Sequence, residues 1–219
     1  LTEGSITDTY TIALNTLPTG NVQITATADA QTQVSLDGVN FAASQTLTFT
    51  PTNGMTAQTV TVRAINDNTT ENIHSGSITN ALTTRPDAHY PTTISLDSIT
   101  GNITDNDISY SLTGGSANIT EGSSGTQQLT YNITRTGALN QTSTVDFNFS
   151  GTATNIADYK LVSITGTGVS TTNSTITFAP NTTSATVTVE IVGDQIDEDN
   201  ETLAINLVNP TATGTATVI

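Results

Sequence analysis

The 219-residue chain has no cysteine and no tryptophan, and it contains only 4 Lys and Arg residues in total. Without cysteine, neither disulfide bonds nor thiol chemistry are possible. A secreted domain without disulfides needs another source of rigidity, and bound metal is one. The few basic residues face 19 Asp and Glu residues, which leaves a net charge of −15. This charge argues against binding of nucleic acid or anionic lipid and favours binding of cations.

Other absences narrow the functional classes further. No stretch approaches the roughly 18 consecutive apolar residues of a membrane-spanning helix, so we predict no membrane insertion by this segment. The 5 Tyr and 5 Phe residues are scattered, and no aromatic platform for sugars or bases is evident. The two histidines, His74 and His89, are not accompanied by a nucleophile-elbow motif. We therefore interpret both as structural and predict that the chain is not an enzyme.

Apolar and polar residues alternate with period two along most of the chain, which is typical of half-buried strands. The most regular segments are 9–14, 22–27, 45–50, 59–65, 108–112, 128–133, 144–149, 174–178 and 186–191. Turn-forming pairs such as Asp37-Gly38 and Asn53-Gly54 lie between them, and no segment keeps a helical period. We predict an all-β fold of two tandem immunoglobulin-like antiparallel β-sandwiches, with a barrel as the alternative.

The two domains follow from an acidic signature that occurs twice in the same order. Each copy has a Glu-Gly pair, a Val-Thr-Val strand and an acidic loop after that strand. The first copy comprises 1–4, 60–65, 66–74 and a closing segment at 103–107, and the second comprises 119–122, 185–192 and 193–201. A recurring unit of roughly 110 residues indicates tandem domains. We place the first domain at 1–107 and the second at 108–219.

The repeat is interrupted at both ends of the sequence. The second unit has a strand-like segment, 108–112, before its Glu-Gly pair, whereas the first unit begins at that pair. The first unit closes with acids, whereas the second stops before the equivalent ones. Two explanations stay open: a fragment of a longer repeat protein, or neighbouring chains that donate the missing strand. The expected partners are therefore neighbouring repeats, with strand exchange between identical chains in a filament.

Carboxylates gathered at strand ends suit Ca²⁺, a hard cation that takes about six to eight oxygen ligands. The repeated order of acids, including the Asp158-Tyr159 pair, resembles the Calx-beta family over essentially the whole chain. The resemblance implies calcium sites at one end of each sandwich. In the second unit the residues that match the family's pattern are Glu121, Asp158, Asp194, Glu198 and Glu201, with Asp197 as an additional candidate.

In the first unit the resemblance is less complete. The matching acids are Glu3, Asp67, Glu71, Asp105 and Asp107. Asn40-Phe41 stands where the family has its Asp-Tyr pair, with Asp37 nearby, and His74 stands where the second Glu of the acidic pair is expected. Because imidazole is a poor ligand for a hard cation, we expect fewer or weaker calcium ions here. Asp87 is a candidate for compensating the loss.

These features predict a calcium-binding structural segment of a large extracellular or cell-surface bacterial protein. Calcium would neutralise the clustered carboxylates and stiffen a spacer for adhesion, matrix or filament assembly. Two alternatives are a non-catalytic accessory region of a secreted hydrolase and a calcium-sensor module of a membrane protein. Sequence flanking this segment would discriminate among the three.

Overall fold

The computed structural model describes residues 1–4, 7–84, 89–91, 94–115, 118–212 and 214–219. The chain divides into two compact units. Unit 1 comprises Leu1–Asp67 and Glu71–Asp105, and unit 2 comprises Asn68–Thr70 and Asn106–Ile219. In the described residues the regular secondary structure is entirely strand, and no helix there is long and apolar enough to cross a membrane.

Unit 1 is an antiparallel β-sandwich of two sheets. Its strands are β1 (Thr7–Ile12), β2 (Val22–Ala28), β3 (Thr32–Ser35), β4 (Ser44–Phe49), β5 (Gln58–Ala64), β6 (His74–Thr84) and β7 (Ile99–Ile103). One sheet has the order β1-β5-β3 and the other has the order β4-β2-β6-β7. The predicted immunoglobulin-like sandwich is confirmed for this unit.

Period-two patterning accounts for how the two sheets pack. In β2, Val22, Ile24 and Ala26 are buried while the residues between them are only partly covered. In β5, which belongs to the other sheet, Val60 and Val62 are buried in the same way. Side chains from both sheets form one apolar core, since successive residues of a strand point to opposite faces.

Unit 2 is a larger sandwich. Its strands are β8 (Ile108–Gly114), β9 (Gly125–Gly137), β10 (Ser143–Gly151), β11 (Tyr159–Thr165), β12 (Val169–Thr172), β13 (Thr175–Phe178), β14 (Ser184–Gly193), β15 (Leu203–Thr211) and β16 (Ala216–Val218). The sheet orders are β12-β13-β10-β15 and β11-β14-β9-β8-β16. All pairings are antiparallel except that of β16 with β8.

The predicted strands lie where the structure has strands, with small differences at their ends. The segment 22–27 corresponds to β2, 108–112 lies within β8, and 128–133 lies inside the longer β9. The sequence pattern did not predict β3, β6, β7, β11, β12, β15 and β16, some of which are very short and some of which contain glycine or proline, such as Gly76 in β6 and Pro210 in β15. Glycine and proline have low strand propensity, so pairing with neighbouring strands forms β6 and β15 in spite of their composition.

The core of unit 2 contains a buried arginine. Arg135 is only 1% exposed. Its guanidinium donates hydrogen bonds to the carbonyl oxygens of Ala138, Gln141, Ala179 and Thr182, at 3.3, 2.6, 3.0 and 3.3 Å. Burial lowers the pKa of this guanidinium from its ordinary value. Arg135 therefore fastens two loops to the core through their backbones rather than through a carboxylate.

Arg135→Met removes the donors for four backbone carbonyls, of which that of Thr182 is buried and the other three are partly buried. We expect the free energy of unfolding of unit 2 to fall by about 3 kcal/mol or more, because buried acceptors lose their partners. Urea denaturation measures this loss. Arg63→Met is the matched control, since Arg63 is exposed and its guanidinium bonds to Gln33 and lies over the ring of Phe41, and this change should affect stability little. Equal effects of the two substitutions would contradict a structural role for Arg135.

Candidate metal sites

Strand pairing brings the acidic loops of unit 2 to one end of its sandwich. In the antiparallel ladder the end of β14 lies beside the start of β9, with Gly193 opposite Gly125. The start of β11 also lies beside the end of β14, with Tyr159 opposite Ile191. Loops that are far apart in sequence therefore meet at this end because antiparallel pairing juxtaposes opposite strand termini.

Glu121 and Asp194 are joined directly at this end. The backbone N–H of Asp194 donates to Glu121 Oε1 at 3.1 Å, and Asp194 Oδ1 accepts from the N–H of Ile196 at 2.6 Å. A Cβ atom on Gly193 would lie 2.7 Å from the carbonyl oxygen of Glu121. Because such a contact is too short for any larger residue, glycine at position 193 permits the close approach of the two loops.

Three further carboxylates converge beside this pair. Asp158, Glu198 and Glu201 each offer an oxygen, and these oxygens lie within 4.8 Å of one another. Asp158 is 8% exposed and directly precedes β11, and its carboxylate accepts a hydrogen bond from the N–H of Thr154. Glu198 and Glu201 are exposed and lie in the loop before β15.

The proton affinities of these groups reflect their crowding. Desolvation, followed by the negative charges of Asp158, Asp194 and Glu121, raises the pKa of Glu198. Desolvation and a hydrogen bond with Asp158 raise the pKa of Glu201. The ionised forms are disfavoured first by desolvation and then by the like charges that face one another at short range. This donor set of oxygens alone fits a hard divalent cation such as Ca²⁺.

Asp197 is placed differently from the other predicted ligands of unit 2. It is exposed in the same loop as Glu198, but it does not belong to the three-carboxylate group of the described residues. Its role as an additional ligand stays a prediction.

Unit 1 brings its predicted acids to the corresponding end of its sandwich. The backbone N–H of Glu3 donates to the carbonyl oxygen of Thr104 at 3.1 Å, and the N–H of Glu71 donates to Asp105 Oδ2 at 2.6 Å. Glu3 and Asp105 are 1% and 6% exposed. Glu3, Glu71 and His74 offer ligand atoms within 4.8 Å of one another. Glu3 and Asp67 offer oxygens at the same separation.

The two remaining predicted ligands of the first unit are Asp107 and Asp87. Asp107 belongs to unit 2, where its Oδ1 accepts from the N–H of Thr215 at 2.7 Å and its carbonyl oxygen accepts from the N–H of Ala138 at 2.8 Å. Asp87 lies outside the described residues.

Known proteins support a family assignment. The sequence matches the family model described as Calx-beta domain over residues 8–96 and 104–219. The chain belongs to the Calx-beta family. Two solved structures, "Crystal structure of CBD12 from CALX1.2" and "Crystal structure of calcium binding domain CBD12 of CALX1.1", are 15% identical to it, with TM-scores of 0.34 and 0.33. Each match covers 97% of this chain and 77% of the other. No curated protein sequence matches.

The register of the two Calx-beta units corrects one correspondence drawn from sequence. Tyr159 pairs with Ile191 of β14, and Thr32 pairs with Ala64 of β5, the strand that carries the same Thr-Val-Thr-Val sequence. Asp158 therefore corresponds to Gln31 rather than to Asn40. The sequence comparison was wrong here because the loops before these strands differ in length. The order of the motifs alone therefore assigned Asn40-Phe41, rather than Gln31-Thr32, to the position of Asp158-Tyr159.

The acids near this position in unit 1 have structural roles. Asp37 accepts hydrogen bonds from the N–H groups of Val39 and Asn40 and from the Ser35 hydroxyl, and these bonds hold its pKa well below the ordinary value. Such bonding within one loop is typical of an Asx turn. Asp37 is therefore not a substitute for the missing middle acid.

The carboxylate of Asp29, which the sequence comparison did not single out, is also engaged in hydrogen bonds within unit 1. Its carboxylate accepts from the N–H and hydroxyl of Ser77 at 2.6 and 3.0 Å and from the Thr32 hydroxyl at 2.8 Å. Burial alone would raise its pKa, but these hydrogen bonds outweigh burial and lower it. Asp29 thus ties the turn before β3 to β6. The middle position of this Calx-beta site is therefore occupied by Gln31, which carries an amide in place of a carboxylate.

The raised pKa values of Glu198 and Glu201 predict a pH-dependent instability of calcium-free unit 2. A carboxyl whose folded pKa exceeds its unfolded value of 4.5 destabilises the folded state as pH rises through that folded pKa. In chelator at pH 7, Glu198→Gln/Glu201→Gln should melt at a higher temperature than the native chain. The difference in melting temperature between the variant and the native chain should vanish as pH falls toward 4.5. Calorimetry at several pH values measures this difference. A difference that is independent of pH would contradict carboxylate repulsion.

Proposed function

We propose that unit 2 binds Ca²⁺ through Glu121, Asp158, Asp194, Glu198 and Glu201, and that calcium gives this segment its rigidity. The observation that carries the proposal is the convergence of the Asp158, Glu198 and Glu201 carboxylates within 4.8 Å. Carboxylates at this distance repel strongly unless a cation lies among them.

The basic side chains of unit 2 do not neutralise this cluster. Lys160 Nζ lies 2.8 Å from Glu190 Oε2, and the Arg135 guanidinium is bonded to backbone carbonyls in the core. Unit 2 contains no other Lys or Arg and no histidine. An external cation is therefore the remaining source of positive charge, and the all-oxygen donor set favours calcium over softer metals.

We further propose that the chain is a structural segment of an extracellular or cell-surface bacterial protein. Bound calcium neutralises the carboxylates and locks the loops around Asp194 and Glu201 in one arrangement. A chain without cysteine gains in this way the rigidity that disulfides give other secreted domains. A calcium-stiffened spacer for adhesion, matrix or filament assembly fits this use of the metal.

Thermal unfolding with and without calcium tests the proposal. We expect the melting temperature of unit 2 to rise with calcium concentration by mass action, and Glu198→Gln/Glu201→Gln to remove most of that rise. Asp146→Asn/Glu190→Gln is the matched control, because it removes the same charge from unit 2 at two acids that are bonded to Thr175 and Lys160, and it leaves the three-carboxylate group intact. Identical melting curves of the native chain in calcium and in chelator would refute calcium binding.

A strand-exchange role is supported by a difference between the two sheets. In unit 2, β9 pairs with β14 on one side and with β8 on the other. The corresponding strand of unit 1, β1, pairs with β5 and lies at the edge of its sheet. A groove of about 320 Å³ runs beside β1, with Tyr10, Val62, Ile78 and Ile99 among its lining residues. We propose that a strand like β8, from a neighbouring repeat or an identical chain, pairs with β1 here.

A peptide with the sequence of residues 108–114 tests this pairing. Because Ile108, Tyr110 and Leu112 alternate with polar residues in β8, the peptide should place its apolar side chains in the groove. We expect it to slow hydrogen exchange of the β1 amides. A peptide of the same composition with the alternation broken is the control. Unchanged exchange rates in β1 at millimolar peptide would exclude strand addition at this edge.

A further inference from the structure

The metal sites of the two units differ in donor chemistry at corresponding positions. When the two units are aligned on their shared Thr-Val-Thr-Val strands, Asp67 corresponds to Asp194. Glu71 then corresponds to Glu198, and His74 corresponds to Glu201. The strand register places Gln31 at the position of Asp158. The three carboxylates of unit 2 are therefore replaced in unit 1 by one carboxylate, one imidazole and one amide.

His74 is oriented as a metal-ligating histidine is. Its Nδ1 lies 3.1 Å from the carbonyl oxygen of Asn72, which can only accept, so Nδ1 carries the proton of this hydrogen bond. In the neutral ring Nε2 then has the free lone pair. Among the described residues Nε2 is buried without a hydrogen-bond partner. A backbone carbonyl that fixes the tautomer in this way is the usual outer-shell partner of a metal-bound imidazole.

Carboxylates lie next to this imidazole. Glu3 Oε1 is 3.8 Å from His74 Nε2, and Glu71 Oε2 is 3.3 Å from Nδ1. Glu3 is 1% exposed, so its carboxylate lies in the interior beside the imidazole. Its position is held by the backbone bond to Thr104, and His74 is held as the first residue of β6, opposite Ile103.

We propose that unit 1 binds a borderline divalent metal ion of the Zn²⁺ class through His74 Nε2 and the carboxylates of Glu3 and Glu71. Imidazole nitrogen binds such ions well and binds calcium poorly, whereas a mixed nitrogen and oxygen set is common in zinc sites. One ring nitrogen of His74 and one oxygen each of Glu3 and Glu71 lie within 4.8 Å of one another, so rotations of these side chains suffice to bring Nε2 and both carboxylates to one ion. The inference goes beyond the calcium site of unit 2, because it concerns the other unit and another class of cation.

Zinc titration of the full chain in excess calcium tests the proposal, since calcium fills hard-cation sites beforehand. We expect one zinc ion per chain by isothermal titration calorimetry. His74→Asn should weaken zinc binding by at least about tenfold, as the loss of a ligand costs no less than the loss of its outer-shell partner. His89→Asn is the matched control, because His89 is the only other histidine and should leave zinc affinity unchanged.

Further variants separate a ligand role from loss of folding. Glu71→Gln, at a partly exposed position, should also weaken zinc binding, and circular dichroism checks that the strands remain. His74→Glu restores the residue type of unit 2 and should exchange zinc affinity for added calcium affinity. Glu198→Gln/Glu201→Gln changes the proposed calcium site of unit 2 and should leave zinc affinity unchanged. The zinc titration therefore tests the site in unit 1 independently of the calcium proposal. The proposal is overturned if the native chain binds no zinc, or if His74→Asn binds it as tightly as the native chain does.

Discussion

Repulsion among carboxylates held in fixed positions by strand pairing is the constraint on which the candidate sites depend. In unit 2 the acids cannot separate without disturbing the ladder between β9, β14 and β11, because Glu121, Asp158 and Asp194 lie next to the ends of these strands. The ladder is in turn fixed by a core that buries Val187 and Val189 of β14. Apolar burial thus holds the charges together, and a cation relieves the resulting repulsion.

The two units use one backbone arrangement with different interiors. The register that matches Tyr10 with Tyr131 places Leu14 of unit 1 at the position of Arg135 in unit 2. Both side chains are buried, but the leucine contributes apolar contacts while the arginine bonds to four backbone carbonyls. The fold therefore tolerates a change from apolar packing to polar bonding at one position, where the two terminal guanidinium nitrogens have acceptors and Arg135 Nε has none among the described residues.

The sequence predicted the strands whose alternation is regular and the order of the acids that follow them, since both are local patterns. It did not predict that Gln31 takes the position of Asp158, because that correspondence depends on which residues pair across strands. It also did not distinguish Asp29 and Asp37, whose carboxylates are occupied by nearby N–H and hydroxyl groups, from acids available to metal. Hydrogen-bond partners become visible only once loops are placed in space.

On the proposed assignments, fold and metal preference are separate properties of these sandwiches. Strand pairing decides where donor atoms meet, and it is the same in both units around the Thr-Val-Thr-Val strand. The identity of the donors decides which cation fits, and that changes with single residues such as His74 and Glu201. Because His74 lies at the first position of β6 and Glu201 lies in the loop before β15, both outside the apolar core, they can change without loss of the sandwich. With the proposed assignments, tandem copies of one fold carry sites for different cations within a single chain.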